Sequence, residues 1–245
     1  MKKIRGLTRS KKKKTPFEQA LEFQGTPLTT SKSIGILGIN ITNDVQFRGH
    51  LEGKAKLASK KLGVLNRSKQ YFTSRQRLVL YKAQVRPHME YCSHLWAGAP
   101  AYQLNPLDSI QRRALRVVDD PILTDGLDTL GLRRDFASLC VFYRLYNGEC
   151  SEELFRMVPS SSFYHRTARH RLGVHPHFLE PLRSCTQRFC RTFLSRTVGI
   201  WNELPAEVFP QRYDMEFFKK GVIKFLRGRQ RVGDISDVAN VHRRR

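Results

Sequence analysis

Three clusters of side chains carry residue types that could do chemistry. Asp119 and Asp120 stand together in Val117-Val118-Asp119-Asp120-Pro121, a superficial match to the paired carboxylates of a two-metal site. Such a site needs a tight turn holding the pair and a third carboxylate on a neighbouring strand. Here the pair follows a helical apolar stripe and precedes proline, so it reads as a helix exit. His175, His177, Cys185 and Cys190 are zinc-type donors, but H-x-H-x7-C-x4-C is not zinc-knuckle spacing. His88, Cys92 and His94 lie close in sequence. A helix would put His88 and Cys92 on one face, yet Cys92 falls on an apolar stripe, where packing is its expected role. There is no phosphate-cradling glycine loop, dinucleotide fingerprint or serine elbow. Cys150, beside Glu149, has no visible activator. The expected catalytic, metal and cofactor complement is none.

Charge of one sign remains. Lysine and arginine number 44 against 21 acids, a formal charge of +23 over 245 residues. That excess makes a folded body repel itself, so it implies a polyanionic partner, nucleic acid before an acidic membrane surface. No apolar run approaches the ~18 residues needed to span a bilayer. Lys54, Lys56, Lys60, Lys61, Arg67 and Lys69 are the phosphate-binding candidates, and Arg112, Arg113 and Arg116 extend the track. Arg166, Arg169 and Arg171 are further candidates. Tyr71, Phe72 and Trp96 could stack on bases, with core packing the stronger expectation for Trp96. Such contacts read phosphates, so the expected partner is RNA or DNA, bound independently of sequence. No membrane and no small-molecule ligand are expected.

The basic N-terminus lacks the apolar core of a secretory signal. Lys11 to Lys14 suit a nuclear import signal or a solvated basic run. Five cysteines, odd in number and sparse, fit a reducing intracellular compartment. Oligomeric state is not legible.

The elements that must position these residues follow from pattern. Residues 1–16 are a disordered basic tail. Residues 17–48 hold a strand region, with Ser33 to Ile41 reading as a strand whose two glycines admit a neighbouring backbone. Residues 49–150 form a helical domain. In its first helix Leu51, Ala55, Ala58, Leu62 and Leu65 face inward. Lys56, Lys60 and Arg67 lie opposite, flanked by Lys54 and Lys61. Thr73 and Gln76 make a capping box, and Pro87 ends or kinks that second helix. Met89, Cys92 and Trp96 mark another inward stripe. Asn105-Pro106 predicts a helix start, with Leu107, Ile110, Ala114 and Val117 inward. Leu132, Phe136, Leu139, Cys140 and Tyr143 form the next stripe, closed by Asn147-Gly148. Residues 151–227 are an extension: a short helix from Ser151, an irregular basic loop over 159–187, a strand near Phe189 to Phe193, a helix over Thr197 to Leu204, and a last helix capped by Asp214. Residues 228–245 are a second disordered tail.

The segment SIGILGINI, then HLEGKAKLASKKLGVLNRSKQYFTSRQRLVLYKAQVRPHMEYCSHLWAGAP, then LDSIQRRALRVV and residues 200–210, resembles the C-terminal part of reverse transcriptases of non-LTR retrotransposons, nearest the jockey-like elements of insects. The resemblance runs colinearly over residues 12–230. It implies a mostly α fold: a thumb-like helical bundle preceded by a short β-strand or hairpin, the end of the palm. It also implies a grip on primer–template duplex. The family's catalytic acids sit in an F/Y-x-D-D hairpin upstream of the strand that SIGILG resembles, and this sequence begins after it. The expectation is a truncated fragment of an RNA-directed DNA polymerase from a mobile element that does not polymerise by itself. The alternative is a co-opted, stand-alone RNA- or DNA-binding protein.

Overall fold

The computed structural model describes residues 31–43, 45–159, 175–182 and 186–242, and short backbone stretches at 5–6, 22–23, 26–27 and 29–30; over 230–242 only the helical backbone is described. The fold is mostly helical, with a small antiparallel hairpin ahead of a helical bundle. The expected tails, Lys11 to Lys14, Arg166, Arg169, Arg171 and Cys185 lie wholly or partly outside the described residues.

Near the N-terminus, β1 (Arg5–Gly6) pairs in parallel with β4 (Thr29–Thr30), and β2 (Glu22–Phe23) pairs antiparallel with β3 (Thr26–Pro27). The strand expected over 33–41 is instead two strands, β5 (Ser33–Ile36) and β6 (Ile39–Thr42), with Ile34 opposite Ile41. Leu37 and Gly38 turn the chain between them with φ of 47° and 81°. A two-residue hairpin turn takes positive φ because its twist then matches that of the strands. Gly38 therefore supplies a turn, not room for another backbone. Tyr91 Oη donates to the Leu37 carbonyl at 2.8 Å, pinning the turn to the helices.

α1 (Arg48–Arg67) buries Leu51, Ala58, Leu62 and Leu65, as its spacing predicts. α2 (Ser74–Leu80) begins at the predicted capping box: Thr73 Oγ1 accepts from Gln76 N, and Gln76 Oε1 accepts from Thr73 N at 2.9 Å. A π-helical segment, Tyr81–Val85, follows, then α3 (Arg86–Glu90) with Pro87 in its first turn. Arg86 N donates to the Tyr81 carbonyl, so helical bonding runs on from the π segment into α3, and Pro87 follows this wide turn without ending the helix. Cys92 takes a left-handed conformation (φ 51°) between α3 and α4 (Ser93–Trp96). Met89 and Trp96 are buried but Cys92 is only half-buried, so the expected single stripe is two short helices around a bend.

α5 (Ala101–Val118) starts after Pro100, one turn before the predicted Asn105-Pro106 signal, and carries Pro106 inside it. α6 (Pro121–Asp125) and α7 (Leu130–Tyr146) follow, with Gly148 at φ 73° closing α7. α8 (Glu152–Phe155) is a single turn. The strand expected near Phe189 to Phe193 is helical: α9 (Gln187–Cys190), then α10 (Phe193–Asn202). Thr186 decides this locally, since its Oγ1 accepts from Phe189 N and starts a helical turn. α11 (Met215–His242) begins where Asp214 Oδ1 accepts from Glu216 N and Phe217 N, both at 2.9 Å, and continues helical past the expected end at Arg227.

Two apolar cores result. The first joins α1 to α5 through Leu51, Leu62, Tyr81, Trp96 and Leu107. The second joins α7, α10 and α11 through Phe142, Tyr143, Trp201 and Phe218. Leu130 belongs to the first core and Leu132 to the second, so α7 is shared between them.

Candidate nucleic-acid interface

α1 and α5 run side by side in the same direction. Phe47 and Pro100, just before the two helices, border one hollow. Further along, Arg113 Nη2 donates to Ser59 Oγ at 3.0 Å. Beyond the end of α1, Arg77 Nη1 donates to the Val117 carbonyl at 2.7 Å. Ala55, Ser59 and Gly63 recur at the four-residue helical spacing and are too small to fill the seam. An open groove of about 920 Å³ lies along it.

Lys56, Lys60 and Arg67 from α1 and Arg113 from α5 line this groove over a floor that includes Gly63 and Ile110. Among the described residues no acidic side chain lines it. The nearby acids are engaged elsewhere: Glu52 with Arg48, and Asp108 with Arg134. Among the described residues, none of the nine predicted cations forms an ion pair with a carboxylate. Lys56, Lys60, Arg67 and Arg113 are all exposed. Like charges that are open to water and unneutralised attract a polyanion.

The other predicted cations do not join them there. Lys54 and Lys61 lie on the opposite flank of α1. Lys54 Nζ sits 5.4 Å from the centre of the Tyr91 ring, and Lys61 Nζ donates to Gln84 Oε1 at 3.4 Å. Burial lowers the His88 pKa, and the charges of Lys61 and Lys54 lower it further. Lys69 is exposed in the 3-10 turn after α1. Arg112, whose Nη2 donates to Ser109 Oγ at 2.8 Å, and Arg116 are exposed on α5 outside the groove. Tyr71 is 75% exposed beside this end of α1 and free to stack, whereas Trp96 is buried with its indole donating to the Tyr91 carbonyl at 3.2 Å.

The chemistry candidates resolve into structural roles. Asp119 ends α5 at φ 57°, and Asp120 caps α6, its Oδ1 accepting from Leu123 N at 3.1 Å. His175 lies buried with both ring nitrogens engaged: Nδ1 accepts from His177 N at 3.1 Å, and Nε2 therefore donates to the Trp201 carbonyl at 3.2 Å. His177 Nδ1 meets Tyr146 Oη at 3.1 Å. His94 packs edge-on against Phe193. Among the described residues no three His, Cys, Asp or Glu side chains are grouped to hold a metal. Burial pushes the Cys140 thiol up to about 11, away from nucleophilic use. Among the described residues no helix is long and apolar enough to cross a membrane.

No family model matches the chain, and neither a curated protein nor a solved structure matches it.

Proposed function

We propose that the chain binds nucleic acid through the α1–α5 groove by its phosphates and independently of sequence. The carrying observation is the groove itself: four exposed cations converge on it, and among the described residues no carboxylate lines it. Lysine and arginine on phosphates displace condensed counterions, so affinity falls steeply with salt. Four engaged cations give a log–log salt slope of about 4. Filter binding to duplex DNA and to duplex RNA tests this. The double substitution Lys56→Glu/Lys60→Glu abolishes binding at moderate salt, and no measurable binding of the parent chain at low salt overturns the reading.

The sequence resemblance supports a further proposal, that the groove is the grip of an RNA-directed DNA polymerase fragment from a mobile element. The chain alone is expected not to extend a primer. Magnesium-dependent primer extension by the purified chain overturns that part only. The second reading, a stand-alone RNA- or DNA-binding protein, uses the same groove.

A further inference from the structure

Beside the N-terminal ends of α1 and α5 lies a second hollow of about 610 Å³, bordered on its far side by α9. Its volume suits a small molecule or a single monomer unit. Tyr102 and Phe189 give it aromatic walls, exposed by 64% and 40%, with Val45 and Leu95 beside them. Arg188 and Arg191 border it, and among the described residues no acidic side chain does. Gln103 Nε2 donates to Tyr102 Oη at 3.0 Å and orients that ring. Neither α1 nor α5 has a side-chain cap or an acid in its first turn, so the positive ends of both helix dipoles stay unneutralised beside the hollow. The walls are fixed: the Gly98 backbone packs so closely on the Arg191 carbonyl that any Cβ would overlap it.

We propose that this hollow holds one unpaired nucleotide of the strand lying in the α1–α5 groove. The proposal rests on the nucleic-acid reading of that groove. The base stacks on Tyr102 and Phe189, and its phosphate meets Arg188 and Arg191. An aromatic platform beside cations fits any base, because every base has a π-face. The spacing fits a continuous strand. Arg48 lies within electrostatic reach of Tyr102, and Ser59 is bonded to Arg113. The same number of residues separates Arg48 from Ser59 and Tyr102 from Arg113, so the hollow sits roughly 16 Å from the mid-groove contact at the helical rise. A stacked strand covers that distance in about five nucleotides.

The test uses the full chain and single strands of three to twelve nucleotides with 2-aminopurine at either terminus, beside a blunt duplex. The expected result is quenching of one terminal probe, with affinity stepping up once the strand exceeds about five nucleotides. Tyr102→Ala/Phe189→Ala removes the quench and weakens single-strand binding about tenfold or more, leaving blunt-duplex binding within about twofold. Arg188→Gln, an exposed change, weakens single-strand binding in the same selective way. A duplex that binds while both terminal probes stay unquenched at every length overturns the hollow and leaves the groove standing. So does displacement of the probe by an acidic peptide but not by unlabelled oligonucleotide. Loss of all binding at low salt overturns both.

Discussion

Arg113 reaches across the seam between α5 and α1 and donates through Nη2 to Ser59 Oγ at 3.0 Å. The bond fixes the guanidinium at the groove without neutralising it, since a hydroxyl is a neutral acceptor. A guanidinium has five donors, so Arg113 keeps others for a phosphate. The pair thus sets both the alignment of the two helices and the position of one charge.

Arg113→Ala should lower affinity for all sequences alike and reduce the salt slope by about 1. Ser59→Ala leaves the charge in place and should keep the slope while loosening its position. Both positions are solvent-accessible, so stability should change by no more than about 0.5 kcal/mol. Filter binding across a salt series, with urea melts of each variant, checks the pattern.

The link between the two helical cores is more sensitive. Arg134 on α7 is buried and holds Asp108 on α5 at 3.0 Å. Asp108→Ala strands a buried guanidinium and should cost about 3 kcal/mol or more. Arg134→Met replaces the cation with an apolar side chain of similar length and should cost distinctly less. Equal losses in urea denaturation would contradict this account.

Much of this was legible beforehand. The inward stripe of α1, the Thr73–Gln76 box and the Asp214 cap are local, and local rules placed them. Asp119 and Asp120 were also readable as a helix exit. What escaped reading is partly local and partly set by contacts distant in sequence. Pro106 looked like a helix start, yet α5 begins at Ala101, because Pro100 already serves as the preceding residue and one lost hydrogen bond near a helix start is tolerable. The residue pattern over 33–41 read as one strand, and only the family resemblance allowed a hairpin, because Leu37 takes a positive φ usually left to Gly or Asn. Nine cations were predicted as one track. Pairing α1 with α5 gathers Lys56, Lys60, Arg67 and Arg113 into a groove and leaves Lys54 and Lys61 beside Tyr91 and Gln84. The recurrence of Ala55, Ser59 and Gly63 was the available signal for that seam.

Gly98 gives a third prediction. A Cβ there would overlap the backbone carbonyl of Arg191, which no rotamer change relieves. Gly98→Ala should force α9 away from the α4 end and cost about 2 kcal/mol or more. Hydrogen exchange should quicken over residues 186–192 before it quickens in α1. Unchanged exchange there would mean that the contact is not made in solution.

Stability should also fall on mild acidification, with a sign fixed by the histidines. Burial lowers the pKa of His50, His88, His94, His175 and His177. His175 illustrates why. Its Nδ1 accepts from His177 N, so a proton there would face another N–H, while Phe209 stacks on the ring at 4.8 Å and keeps water away. The Trp201 carbonyl favours the proton already on Nε2, but burial outweighs it. The folded state thus binds fewer protons than the unfolded chain below about pH 6.5, and stability rises with pH through that range. The histidine contribution is complete above about pH 6.5 and is lost as pH falls through the lowered folded values. Histidine is the side chain whose ordinary pKa lies between pH 5 and 8, so the window from about 6.5 down to 5 is where these rings act. Urea midpoints measured from pH 7.5 to 5 should fall steadily below 6.5. His175→Gln retains hydrogen-bonding groups but cannot titrate there, so it should start less stable and show a shallower decline. A flat midpoint across that window in the parent chain would contradict the burial of these rings.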